Sequence, residues 1–234
     1  MLVALVRRST SLCAGAAMLV CPAMSKRMKR RGLPGTSRTK SCAAVAFTTR
    51  KLAGGRSMFV APALISHFAA VWMPRRKDEP LVLSDAAQRV LKVLRREHEL
   101  ATGDLRAESG VTERAAFTRA LDELQRQMKV IPQDVIYQPF SYIWIPAEDR
   151  FPEELRKRGA VSGASGVAAR RKTALREIAR AYLAGAGMSV LGETARASGL
   201  SRVEAGSGNH QLVDEGYAIR LRQGIYALAS SKNG

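Results

Sequence analysis

Arg119 and Arg126 stand seven residues apart in a segment of helical pattern. Seven residues make almost two full turns, so both side chains project from one face. Between Glu113 and Lys129, the residues Phe117, Ala120, Leu121, Leu124 and Met128 form the apolar stripe that a helix buries. The two arginines lie opposite that stripe, with Ala115 on their side and Lys129 at the flank. Guanidinium groups so placed bind phosphates or the acceptor edge of guanine. A small residue such as Ala115 allows close approach to a groove. Asp122 shares the face and Glu123 lies near it. Both repel phosphate, and a plain solvated face is the competing reading.

Other chemistries lack their residues. Cys13, Cys21 and Cys42 all precede the part that looks folded, which excludes a disulfide framework or a thiolate metal site there. His67, His98 and His210 are too far apart to form a ligand motif. Ser/His/Asp, phosphate-loop and dinucleotide motifs are absent. The reading therefore assigns no cofactor, no metal and no catalytic residue.

The net charge of +18 is unevenly placed. No Asp or Glu occurs before Asp78, while 15 Lys and Arg do. Residues 78–234 carry only +3, so total charge alone does not argue for a polyanionic partner. Residues 1–50 match a secretory signal poorly. Their Arg, Ser and Thr richness suits an organelle presequence, which stays open. The charge run Lys26–Lys40, with Pro34-Gly35 and no apolar period, favours a solvated segment or a misplaced start. Residues 1–45 are expected not to pack on the rest. Without organelle targeting, the expected location is cytoplasmic and nucleoid-associated. Met58–Trp72 is apolar but only 15 residues long, too short for a membrane span. It reads as a strand over Ser57–Val60 leading into a buried helix over Pro62–Val71.

The positioning elements come as a repeat. Ser109-Gly110-Val111-Thr112 recurs as Ser198-Gly199-Leu200-Ser201, an offset of 89 that also relates Asp104 to Glu193 and Val130 to Ile219. Each copy reads short helix, Gly in the left-handed position, apolar anchor, hydroxyl cap, second helix. That order predicts helix-turn-helix, with Thr112 and Ser201 as caps. A preceding helix runs over Asp85–His98 from Ser84, burying Ala87, Val90, Leu91 and Leu94. Its counterpart buries Leu175, Ile178, Ala179, Tyr182 and Leu183. Hairpins follow: Val135–Tyr137 with Tyr142–Ile145 around Gln138–Ser141, and Ala218–Leu221 with Ile225–Leu228 around Arg222–Gly224.

The expected fold is mainly α with small β-hairpins, as tandem winged helix-turn-helix modules. The first spans 81–158 and the second 168–229, after a strand-helix lead-in over 51–80 and with a Gly/Ser/Ala joint over 159–167. The second recognition helix, Arg202–Glu215, is interrupted by Gly206 and Gly208, each costing roughly 1 kcal/mol relative to Ala. It is expected to fray or split. Candidate DNA contacts are Thr112, Arg114, Ala115, Arg119, Arg126 and Lys129 in the first module. In the second they are Ser201, Arg202, Arg220 and Arg222, of which the strand arginines are the better phosphate contacts.

Four phrases carry a family resemblance: Lys51–Ser57 (KLAGGRS), Thr102–Arg106 (TGDLR), Ala120–Gln125 (ALDELQ) and Arg150–Glu153 (RFPE). Together they resemble the AlkZ-like winged-helix superfamily over about residues 50 to 229. That superfamily includes bacterial DNA glycosylases for bulky alkylated or crosslinked bases, and shorter winged-helix DNA-binding relatives. The resemblance implies duplex DNA as partner and a link to repair. The glycosylases carry a Gln-aliphatic-Gln or Gln-aliphatic-Asp motif on an N-terminal hairpin. The only comparable triplet here is Gln125-Arg126-Gln127, with Arg at its centre and core residues on either side. The first reading is thus a two-module DNA-binding protein without demonstrable catalytic machinery. The others are a glycosylase whose catalytic segment is missing, and a protein-interaction module.

Overall fold

The computed structural model describes residues 19–20, 47–53, 56–159 and 164–229. The expectations for residues 1–18 and 21–46 lie outside the described residues. β1 (Leu19–Val20), β2 (Phe47–Ala53) and β3 (Arg56–Val60) form an antiparallel sheet in the order β1-β3-β2. α1 (Pro62–Trp72) follows, with Pro62 at its first position, where the missing N–H costs nothing. The expected strand and helix are both present, within a residue at each end. Leu64, Ile65, Phe68 and Ala69 of α1 are buried, and Phe68 stacks on Trp72 at 4.9 Å. Among the described residues no helix is long and apolar enough to cross a membrane.

A 3-10 turn (Arg76–Asp78) and α2 (Glu79–Val82) lead into α3 (Asp85–Glu97). Ser84 Oγ accepts from the Ala87 N–H at 3.3 Å, the cap expected there. Ala87, Val90, Leu91 and Leu94 are all buried, as their spacing requires. β4 (Leu100–Ala101), α4 (Thr102–Glu108), α5 (Arg114–Arg126), β5 (Val130–Tyr137) and β6 (Phe140–Pro146) complete this unit. Its sheet runs β4-β6-β5, with Leu100 opposite Trp144 and Ile131 opposite Ile145. The strands are longer than expected and the turn is shorter. Gly110 takes φ +63°, and Val111 behind it is buried between α3 and α5. Thr102 Oγ1 donates to the Tyr142 carbonyl (3.1 Å) and accepts from Trp144 Nε1 (2.9 Å), fastening α4 to β6.

α6 (Ala147–Arg150), α7 (Pro152–Gly159) and α8 (Ala164–Ala186) carry the chain onward. Helix therefore occupies both ends of the expected Gly/Ser/Ala joint, leaving 160–163 between them. β7 (Met188–Ser189), α9 (Glu193–Ser198), α10 (Arg202–Asp214), β8 (Ala218–Arg222) and β9 (Ile225–Leu228) repeat the earlier order. The third sheet runs β7-β9-β8, the same arrangement as β4-β6-β5. The whole is mainly helical with small antiparallel sheets.

Two corrections concern the second helix of each copy. Thr112 does not cap α5; Glu113 occupies the N-cap without a side-chain cap bond. Glu113 answers to Ser201 at an offset of 88, so the repeat slips by one residue after the Gly turn. α10 does not break at its glycines. It is continuous because Gly208 sits where α10 crosses α8. A Cβ there would lie 2.4 Å from the Leu175 carbonyl oxygen and 3.0 Å from Ala179 Cβ. Helix packing thus outweighs the propensity cost, while Gly206 faces open space.

The two glycines should separate in a substitution test. Gly208→Ala forces the helices apart and should destabilise the fold by about 1–3 kcal/mol. Gly206→Ala should instead stabilise it, by up to about 1 kcal/mol. Urea midpoints of the two variants check this, and equal shifts would contradict the crossing.

Candidate nucleic-acid interface

α5 is held by its inner face. Phe117, Ala120, Leu121 and Leu124 are buried against α3 and the β4-β6-β5 sheet. Its outer side leaves Arg114, Ala115, Arg119 and Arg126 exposed, with Thr112 exposed just before it and Asp122 half-buried. Arg119 Nη2 stands 3.8 Å from Glu113 Oε1, and both side chains are largely solvated. Such a pair is weak and does not tie the guanidinium down.

Glu123 behaves differently from its sequence reading. Its Oε1 accepts from the Ser84 N–H (2.9 Å) and its Oε2 from Ser84 Oγ (2.6 Å). The carboxylate closes the start of α3, 39 residues away in the chain. Ser84 was legible as a cap; its partner was not.

Lys129 is corrected. Expected near the DNA backbone, it is 3% exposed. α5 ends at Arg126, and Met128 takes the left-handed conformation (φ +53°), which turns the chain inward. Lys129 Nζ then donates to the Pro74 carbonyl (2.9 Å) and to Glu79. Glu79 also accepts both terminal nitrogens of Arg95, at 2.7 and 2.9 Å. Arg95 Nε reaches Glu148 on α6 at 2.7 Å. Burial pushes the Glu79 carboxyl up, but hydrogen bonds from Arg95 and Lys129 outweigh it and hold it below the usual value. Burial pulls the Lys129 ammonium below its usual value, against the attraction of Glu79. No sequence signal marked Glu79 or Arg95.

In the second unit, Ser201 Oγ accepts from the Glu204 N–H (3.2 Å), and Glu204 Oε2 accepts from the Ser201 N–H (2.9 Å). This reciprocal pair is a capping box, so the expected cap at Ser201 is present. Glu204 also pairs with Arg171 of α8, whose Nη1 donates to the Val71 carbonyl at 2.7 Å. Burial pushes Glu204 up, but the Ser201 and Arg171 hydrogen bonds bring it below its usual value. Arg202 is exposed on the first turn of α10, beside Val203, which is 82% exposed. Arg220 and Arg222 are exposed along β8, interleaved with exposed Ile219 and Leu221. The first hairpin ends instead in exposed Tyr137 and Phe140.

The Gln125-Arg126-Gln127 triplet presents neither the buried Gln125 nor the amide oxygen of Gln127 as an open catalytic group. Gln125 is buried, with Nε2 donating to the Leu121 carbonyl (3.2 Å), and Gln127 Oε1 is enclosed without a partner. The histidines lie on α1, after α3 and on α10, and burial lowers the pKa of His67. Among the described residues no three His, Cys, Asp or Glu side chains are grouped to hold a metal.

Residues 46–140 match the model of the AlkZ-related family, which bears out the resemblance over less than half of the chain. The match runs from β2 to the start of β6 and contains α5 with its exposed arginines. Three of the four family phrases fall inside it; Arg150–Glu153 and the second unit lie beyond. No curated protein and no solved structure matches.

Breaking the Glu79 cluster tests whether it sets the end of α5. Glu79→Gln leaves Lys129 and Arg95 buried with one anion fewer, and should cost about 3–5 kcal/mol at pH 7. A carboxyl lowered in the folded state stabilises above its unfolded value, about 4.5, and loses that contribution as pH falls. Wild type should therefore lose more stability than Glu79→Gln between pH 6 and about 3. Unfolding midpoints across that range check it; equal acid sensitivity would contradict it.

Proposed function

We propose that the chain is a duplex-DNA-binding protein of the glycosylase-related group, built from two winged-helix units and acting in DNA repair. α5 is its principal recognition helix and binds mainly through phosphates. The observation that supports this most is the free outer face of α5. Arg119 and Arg126 are exposed on one side of a helix whose other side is buried, and the nearby Glu123 is spent on Ser84. Arg114, Ala115 and Thr112 flank them at the N-terminal end, where a recognition helix enters a major groove. Arg220 and Arg222 supply phosphate contacts from the second hairpin, and Arg202 stands at the start of α10. The reading assigns no catalytic residue.

A second reading applies to the second unit alone. Val203 and His210 are exposed on α10, and of the two charges at its start Glu204 is paired with Arg171 and Arg202 is exposed, a face suited to a protein partner.

The Cα atoms of Arg119 and Arg126 are separated by about 10.5 Å along the helix, at 1.5 Å per residue. That spans roughly three base-pair steps of 3.4 Å. Arg119→Ala and Arg126→Ala should each weaken binding to all duplex sequences alike and lower the salt slope by about one unit. Loss of a guanine contact would instead cost about 1–3 kcal/mol at one base position. Affinity of the full chain for duplex DNA across a salt series measures this. Unchanged affinity and slope in both variants, with the fold intact, would reject the α5 face.

A further inference from the structure

A groove of about 880 Å3 runs between α2 and α3, away from any residue assigned to DNA above. Buried Leu83 and Leu91 contribute to its lining. Gln88 Nε2 donates to the Leu83 carbonyl at 2.8 Å, which fastens α2 to α3 at the lining. The charge of Arg95 at one end is already met by Glu79 and Glu148. Arg76, Arg89 and Lys92 are different: all three are exposed and have no ion-pair partner among the described residues. Asp85 is the one unpaired acid in the lining. On α2 itself, Leu81 and Val82 are 89% and 51% exposed.

Cations beside apolar side chains ask for a ligand that carries both complements. Arg89 and Lys92 are three residues apart, about 4.5 Å along α3, and so lie on one face. A sugar-phosphate backbone would meet the charges but leave Leu81 and Val82, which stand on α2 beside the groove, in water. We propose that the groove between α2 and α3 is a docking site for an acidic, leucine-bearing segment of a partner protein. Its carboxylates meet Arg76, Arg89 and Lys92, and its apolar side chains cover Leu81 and Val82. The proposal is independent of the DNA reading.

The probe is a fluorescein-labelled synthetic peptide of Glu and Leu, paired with the same peptide carrying Ser for each Leu. The acid-free first 77 residues attract both peptides through charge alone. The difference between the two peptides therefore reports the groove. By anisotropy on the full chain, the Leu peptide should bind at least about tenfold tighter, a difference of 1.4 kcal/mol. Arg89→Glu combined with Lys92→Glu should abolish that preference, and Leu81→Ser, at an exposed site, should reduce it. Duplex DNA affinity should stay the same in both variants. Equal binding of the two peptides, or a preference that survives the charge reversal, overturns the proposal. So does a charge reversal that weakens DNA and leaves the peptide preference intact, which would make the groove a phosphate site.

Discussion

Glu79 is the one carboxylate in the first unit that is surrounded rather than solvated. It is 6% exposed and lies between Arg95 of α3 and Lys129 at the start of the first hairpin. A charge that deep is tolerable only when its partners arrive in fixed positions. Hydrogen bonds from both terminal nitrogens of Arg95 and from Lys129 Nζ supply them. Satisfying it draws together four separate segments: α2, α3, the chain after α5, and α6 through Glu148. The inward turn at Met128 and the direction in which α5 leaves the core follow from that demand. Arg95 closes the lining of the α2–α3 groove for the same reason. Arg119 and Arg126 point outward for a different reason, since they lie opposite the buried stripe of Phe117, Ala120, Leu121 and Leu124.

The second unit reaches the same element order by other means. α10 is pressed onto α8 until only a glycine fits at 208, and Glu204 links its capped end to Arg171. At the other end of α10, Glu215 pairs with Arg176 and Arg180 of α8. The first unit is locked by a buried charge and the second by close backbone approach with ion pairs at both ends of the contact. The outer faces differ accordingly. α5 presents arginines, whereas α10 presents Arg202 beside an exposed valine, and the exposed Arg220 and Arg222 lie on β8 instead.

Local features were legible because their physics is local. Ser84 caps the helix that follows it, Gly110 and Gly199 take the left-handed conformation, Val111 is buried and Ser201 caps α10, each acting within a few residues as read. The apolar stripe of α5 was legible for the same reason. What failed depended on distant partners. Lys129 continued the helical pattern, but its partner Glu79 lies 50 residues away. Glu123 looked like a surface acid because Ser84 is not its neighbour in sequence. Gly208 looked like a helix breaker because the carbonyl it accommodates belongs to another helix. Thr112 lost the cap because the two copies differ by one residue after the turn, which a single offset of 89 conceals.

The most direct test of the account is amide hydrogen exchange of the full chain with and without a short duplex. A DNA surface built on α5 predicts slowed exchange over 112–126 and over 218–224, with exchange over 76–92 unchanged. Protection confined to 76–92, or none over 112–126 while DNA is bound, would contradict it.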